Sequence, residues 1–424
     1  MFTGSRIHVC VGVLTLLAAG GCGRSTSDPS GPPPALTALP RALTANEHTV
    51  LDASNAFSFA LWGKINATQP DANVFVSPLS ASFALGMTLN GAANTTFDQM
   101  RSALQFGGAA QGDINDGYKS LIALLTSLDP AVQVQIANSI WYRNTFPFTQ
   151  SFLDAGKTYF DAQVSPLNFS DAAGSVATIN GWVNTKTAGK IPAILAQSDI
   201  DDAAVMFLLN AIYFKGGWRV KFDPSETHAA SFQSTGGTAQ SMQLMHRTAK
   251  MTYAETATWQ AVELPYGDSA FVMTVLLPRS GVDIAALAAS LTPGTWQSIV
   301  GSLHVAEVDL SLPRLTLTYE RRLNDDLIAL GMISAFVPLG ADFTRMSPMG
   351  NQLNISFVRQ KTFVDINELG TEAAAVTAVG VQVTSAPLTY VMRVDHPYLF
   401  VLRERLSGTV LFMGKITQMP AAGS

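Results

Sequence analysis

Beyond its first 22 residues this 424-residue chain has no cysteine; the only two, Cys10 and Cys22, sit close to the N-terminus. The folded part therefore has no disulfide, no thiolate nucleophile and no cysteine-based metal site. Charge is scarce as well. Asp, Glu, Lys and Arg make up 13% of the residues, the formal net charge is −5, and no run of Lys or Arg is longer than two, which argues against nucleic-acid binding because that rests on neutralising phosphates. Five histidines lie beyond the N-terminal segment (His48, His228, His246, His304 and His396), and none stands one helical turn from another beside a glutamate, so no metal and no cofactor are expected. A Gly-x-Ser-x-Gly elbow, a phosphate loop and a dinucleotide fingerprint are all missing. Scattered Ser, His and Asp can still meet in space, which keeps an exported hydrolase as a third reading, but the chain is not expected to be an enzyme.

What is present starts at the N-terminus. Arg6 precedes an apolar run from Val9 to Ala19, too short to span a bilayer comfortably, which closes on Ala18-Ala19-Gly20-Gly21-Cys22. Small residues directly before a cysteine resemble a bacterial lipoprotein signal, which implies a signal peptide over residues 1–21 and lipid attachment at Cys22. An ordinary signal peptide with an incidental cysteine is the alternative. Both imply export, to the bacterial cell envelope as a lipoprotein or to the extracellular space. Residues 22–44 are rich in Ser, Gly and Pro and read as a flexible tether. No second linker interrupts the chain beyond the tether, so residues 45–418 form one large domain with no internal repeat.

Helical spacing marks Leu51 to Lys64, Ala81 to Leu89, Thr95 to Phe106, Tyr118 to Leu128 and Leu323 to Leu330. Strands are read over Val132 to Tyr142, Val205 to Phe214, Phe271 to Leu277 and Val305 to Leu312, with several more in the last fifty residues. Helices early and strands late indicate an α+β domain with large antiparallel or mixed sheets.

One segment stands apart. From Thr371 every second residue is small or β-branched (Thr371, Ala373, Ala375, Thr377, Val379, Val381, Val383), which is a strand pattern. Yet Glu372-Ala373-Ala374-Ala375 is a good helix-forming string. A short helix capped by Thr371 and a two-state segment, loose first and a strand later, both stay open.

Glu368-Leu369-Gly370-Thr371-Glu372-Ala373-Ala374-Ala375 resembles the hinge of inhibitory serpins. Val394-Asp395-His396-Pro397-Tyr398-Leu399-Phe400 is similar to the family's signature after the reactive loop, with Tyr398 where phenylalanine is usual. Further matches are Asn73 to Ser80, Ile179 to Asn184 with Gly189-Lys190-Ile191, Leu209 to Trp218, and Leu411 to Lys415, so the likeness runs over about residues 45 to 418.

The resemblance implies three β-sheets, eight or nine helices and an exposed reactive loop at about residues 368–390. It implies a monomeric inhibitor cut by a serine protease, which is trapped as a covalent acyl complex when the hinge enters the main sheet as a new strand. Gly370 would give the pivot its freedom, Thr371 would lead the buried face, Glu372 would stay on the solvent face, and Ala373 to Ala375 would keep the leading segment slim. Ser77, Ser80 and Asn210 map to a polar cluster that governs sheet opening, with Gln360 where histidine is usual. Trp218 maps to a buried tryptophan near the top of the sheet.

Counting from Glu368 puts Thr384 before the scissile bond and Ser385 after it; Val383 and Ala386 are the alternatives. No Lys or Arg lies between Lys361 and Arg393, so elastase-like or subtilisin-like enzymes are the expected targets. The competing function is a non-inhibitory serpin acting as a binding or chaperone-like module.

Overall fold

The computed structural model describes residues 34–371 and 389–420, together with residues 1, 2 and 4. The chain divides into two compact units, Met1–Pro33 and Pro34–Ser424; the described residues of the first have no regular secondary structure. The signal sequence apart from residues 1, 2 and 4, Cys22, and the tether as far as residue 33 lie outside the described residues. So do Glu372, Ala373, Ala374, Ala375, Val383, Thr384, Ser385 and Ala386.

Nine α-helices occur among the described residues of the second unit: α1 (Ala45–Thr68), α2 (Pro78–Leu89), α3 (Asn94–Ala103), α4 (Gln111–Ser127), α5 (Gln150–Phe160), α6 (Ala172–Lys186), α7 (Ile284–Ser290), α8 (Pro293–Ser302) and α9 (Asn324–Ala329). The early strands are β1 (Val74–Val76), β2 (Val132–Arg143), β3 (Gln163–Leu167), β4 (Met206–Gly217), β5 (His228–Gln233), β6 (Ala239–Glu255), β7 (Trp259–Pro265) and β8 (Phe271–Pro278). The later ones are β9 (His304–Pro313), β10 (Leu315–Arg322), β11 (Arg359–Asn367), β12 (Gly370–Thr371), β13 (Thr389–Arg393), β14 (Tyr398–Glu404) and β15 (Val410–Ile416).

These strands form a six-stranded sheet in the order β10-β11-β12-β4-β2-β3 and a nine-stranded sheet along β1-β15-β14-β8-β7-β6-β9-β13, with β5 on β6. Where three sheets are expected, two are joined into one ladder by β6, whose 17 residues pair first with β5, then with β9 and at the far end with β7. The innermost strands β8, β14 and β15 are buried on both faces and read as continuous apolar runs.

Local chemistry sets the helix starts. Ser77 caps α2, its side chain accepting from Ser80 N, and Pro78 follows at the first helical position, where its missing N–H costs nothing. Buried on almost every side, α2 packs between β4 of one sheet and β15 of the other. The main core surrounds it. A second, smaller core of Trp141, Ile179, Trp182, Val183, Phe207 and Leu209 lies where α6 covers the outer face of the six-stranded sheet.

At the start of α1, Thr44 and Glu47 form a reciprocal capping box. The same carboxylate accepts from Arg41 Nη2 at 2.6 Å and Ser120 Oγ at 2.6 Å, tying α1 to α4. The Arg41 hydrogen bond is the main reason that the Glu47 carboxyl falls from its ordinary 4.5 to about 2, helped by Ser120 and the Thr44 amide against the opposing effect of burial. Because the folded-state value is depressed, the stabilisation is fully present above pH 4.5 and is lost as pH falls toward about 2. Glu47→Gln is therefore expected to lower stability by about 1 kcal/mol or more at pH 7. In denaturant titrations the gap from the unsubstituted protein should shrink as pH drops from 4.5 toward 2.

Candidate functional site

The six-stranded sheet is incompletely zipped at its centre. β4 is paired along its length to β2, and β11 to β10, both antiparallel. Between β4 and β11 stands only β12, two residues long, with Thr371 opposite Gly216 and Ile366, and Gly370 opposite Gly217 and Asn367. Among the described residues no ladder joins the facing edges below that point. A cavity of about 370 Å³ fills the lower part of this slot, walled by Phe207, Leu209, Ile355 and Phe357, with α2 along it. Buried backbone polar groups are nearly always paired, so the facing edges of the slot have room and hydrogen-bonding capacity for one further strand.

The upper end is fastened firmly. After β11 the chain turns through Glu368 and Leu369, and its carbonyls are captured: Asn367 O accepts from Trp218 Nε1 at 2.8 Å, Glu368 O from Phe222 N at 3.0 Å, and Leu369 O from Trp218 N at 2.9 Å. Glu368 is 5% exposed. Its carboxylate accepts from Arg314 Nε at 2.7 Å and from Thr227 Oγ1 at 2.5 Å. Burial pushes this carboxyl up, but Arg314 and Thr227 outweigh it and hold it below its ordinary value.

Gly370 has φ +145, and a Cβ there would come within 2.2 Å of Gly216 O, so backbone freedom and close approach both require glycine. Thr371 is buried, its hydroxyl 2.8 Å from the Tyr266 hydroxyl. The Tyr266 ring stacks on Trp218 with centroids 4.4 Å apart. The turn after Tyr266 is braced in turn by the N-terminal strap, where Leu36 N donates to Asp268 O at 2.7 Å and Arg405 reaches Leu36 O at 2.5 Å.

Midway down, the slot is flanked by a polar cluster. The Gln360 side chain pairs twice with the Ser77 backbone, accepting from Ser77 N at 2.9 Å and donating to Ser77 O at 2.6 Å, which clamps β11 to the start of α2. Ser77 Oγ donates to Leu411 O at 2.8 Å on the other sheet. Ser80 Oγ donates to Asn210 O at 3.4 Å, and Asn210 Nδ2 to Asn138 Oδ1 at 2.7 Å. Asn210 Oδ1 is buried and has no partner among the described residues.

Ser77, Ser80, Asn210 and Gln360 thus meet around one point of the slot, although up to 283 residues separate them. The loop's expected limits differ from those observed. Glu368, Gly370 and Thr371 are buried rather than exposed, and Tyr390 belongs to β13, which pairs in parallel with β9. Arg314, Thr227, Tyr266 and Asn138 escaped sequence reasoning. Glu368 itself gave no signal of a buried partner, since it stands in a mixed stretch with Asp365, Asn367 and Glu372.

A family model described as serpin (serine protease inhibitor) matches residues 52–419. The chain is a serpin. Serpin B8 of Homo sapiens is 34% identical over 371 residues, covering 86% of this chain and 98% of that protein. The crystal structure of tengpin, a thermophilic serpin in the native state, superposes with a TM-score of 0.79 at 28% identity, covering 92% of this chain and 97% of that one. That of human thyroxine-binding globulin complexed with thyroxine gives 0.80 at 25% identity, covering 89% and 100%. The family's description is that of inhibitors of serine proteases, not of proteases. No helix among the described residues of this serpin is long and apolar enough to cross a membrane.

Gly370→Ala tests how tightly the upper end is fastened. The added methyl has no room against Gly216 and Gly217, so the variant should lose about 2 kcal/mol or more, seen as a lower denaturant midpoint, with faster hydrogen exchange at Thr371.

Proposed function

We propose that this serpin inhibits serine endopeptidases as a suicide substrate, with Thr384–Ser385 as the reactive bond and Val383 or Ala386 as neighbouring alternatives. The supporting observation is the slot between β4 and β11, already entered at its top by Gly370 and Thr371.

The protease serine Oγ attacks the Thr384 carbonyl carbon, the C–N bond to Ser385 breaks, and the serine proton passes to the departing Ser385 amine, leaving an ester. Residues beyond Thr371 then continue the register of β12. Each step down the new strand moves one residue down β4 and β11. From Thr371 opposite Gly216 and Ile366, six steps bring Thr377 opposite Asn210 and Gln360. The hydroxyl arrives beside the unpartnered Asn210 Oδ1, giving that acceptor a donor.

β4 spans 12 residues, so full insertion carries an attached enzyme about 40 Å at some 3.3 Å per residue. The gain is two new backbone ladders plus the apolar burial of alternate side chains. Distorting the enzyme's oxyanion hole halts deacylation. Glu368 is the fixed end, Gly370 the pivot and Thr371 the leading buried residue. Glu372 stays toward solvent, and Ala373, Ala374 and Ala375 are slim enough to enter.

Small and β-branched residues before the bond, and no Lys or Arg between Lys361 and Arg393, favour elastase-like or subtilisin-like targets. Residues 1–21 act as an export signal and Cys22 as the lipid attachment point; of the expected tether over residues 22–44, residues 34–44 are packed on the domain through Leu36, Leu39 and Leu43, which leaves residues 22–33 as the tether to a monomeric domain. A non-inhibitory binding module is the second reading, favoured by the likeness to a structure that holds thyroxine.

Mixed with elastase and with subtilisin, the protein should give a band of summed mass on a denaturing gel. Clipped product alone with every protease tried would leave the binding-module reading. Ala373→Glu should convert much of the inhibition to turnover, raising the inhibitor-to-enzyme ratio at least about fivefold, since a charge would have to enter the sheet. Cys22→Ser should move the expressed protein from the detergent phase to the aqueous phase.

A further inference from the structure

The lower half of the slot has a cover. Residues 187–205 link α6 to β4, and on the way Ile194, Leu195, Ser198, Asp199 and Ala203 wall the cavity of about 370 Å³ on the side away from α2. The segment is rooted on one side of the slot. Asn180 of α6 holds it with both ends of its side chain: Oδ1 accepts from Ile194 N at 2.9 Å and Leu195 N at 3.0 Å, and Nδ2 donates to Leu195 O at 2.8 Å. Arg143, at the end of β2, donates to the carbonyls of Asp201 and Asp202 at 3.0 Å and of Ala204 at 2.9 Å. Both roots belong to the side of β2 and β4, since α6 packs on those two strands.

The other side is held by one residue of β11. Arg359 meets the Asp199 carboxylate at two points, Nη1 donating to Oδ2 at 2.7 Å and Nη2 to Oδ1 at 3.1 Å, and Nη1 also donates to Ile194 O at 2.9 Å. A guanidinium and a carboxylate paired by two bonds make a strong, directional contact. Arg359 is 23% exposed and Asp199 14%, so water and salt screen the pair only in part. Burial pushes the Asp199 carboxyl up, but Arg359 and the Ala196 amide outweigh it and hold it below its ordinary value. The guanidinium also lies 4.8 Å over the Phe357 ring and 3.7 Å from the Glu320 carboxylate, which keeps it aimed across the slot.

The register shows where this contact falls. Continued downward, β12 would bring position 377 opposite Gln360 and position 378 opposite Arg359 and Leu209. Consecutive strand residues point to opposite faces: Gln360 grips Ser77 on the side of α2, and Arg359 grips Asp199 on the side of α6. A strand that has passed the inner clamp therefore meets the outer pair at its next residue.

We propose that the Arg359–Asp199 pair is the catch that closes this cover over the lower slot, and that its parting limits how fast a strand is taken up below Gln360. The inference rests on the reading of the slot as the place where a strand enters. Arg359 and Asp199 are positioning residues, acting through the cover and not on the reactive bond. A contact present before uptake and lost at the barrier slows uptake by its full worth.

The test follows the full-length protein as it takes up a fluorescent synthetic peptide with the sequence of residues 371–383, read by polarisation and by a shifted band on a native gel. Arg359→Met and Asp199→Asn should each take up the peptide at least about fivefold faster than the unsubstituted protein. The double variant should be no faster than the quicker single one, because removing either partner already opens the catch. Thermal melts before the peptide is added establish that each variant is folded. Single-variant rates no more than about twofold above that of the unsubstituted protein, or a double variant whose acceleration is the product of the two single ones, would overturn the catch and leave the slot reading standing. If no version takes up the peptide, the slot reading falls and the catch falls with it.

Discussion

Two long strands, β4 and β11, lie in the same sheet, and among the described residues only Gly370 and Thr371 bridge them. Backbone amides and carbonyls are obligatory hydrogen-bonding groups, so leaving two facing edges unzipped is a cost that the rest of the molecule must sustain. The fastenings at the top, the clamp midway and the braced turn beside Tyr266 all act on those two edges. Each is a means of holding a sheet short of its fully paired state.

The fastenings differ in kind. At the top, Glu368 is bound by a cation and a hydroxyl while its neighbours' carbonyls are bound by Trp218 and Phe222, so side chain and backbone are both committed. Midway, Gln360 grips the backbone of Ser77 in the way one strand grips another. Because Ser77 also caps α2 and bonds across to Leu411, movement of β11 disturbs a helix start and the second sheet together. The small residues at the start of α2 thus connect what happens in the slot to the whole core.

Much of the architecture was legible in the sequence because its elements are strongly periodic. Val132 to Tyr142 and Val205 to Phe214 read as strands and are β2 and β4; Ala81 to Leu89 reads as a helix and lies in α2. Contacts across long separations left no local trace. Local pattern around Gln360 does not point to Ser77, which only the resemblance to serpins placed in the same cluster, and nothing around Glu368 points to Arg314, because partners in a sheet are set by topology rather than by spacing.

The replacement of histidine by Gln360 carries a further consequence. An imidazole gains a proton near neutrality, and a lock built on one would loosen or tighten with the acidity of its surroundings. A carboxamide offers a donor and an acceptor at once and keeps both at any physiological acidity. The grip between β11 and the head of α2 is therefore indifferent to proton concentration, unlike the carboxylate of Glu368 at the top of the slot, whose hold on Arg314 depends on its charge.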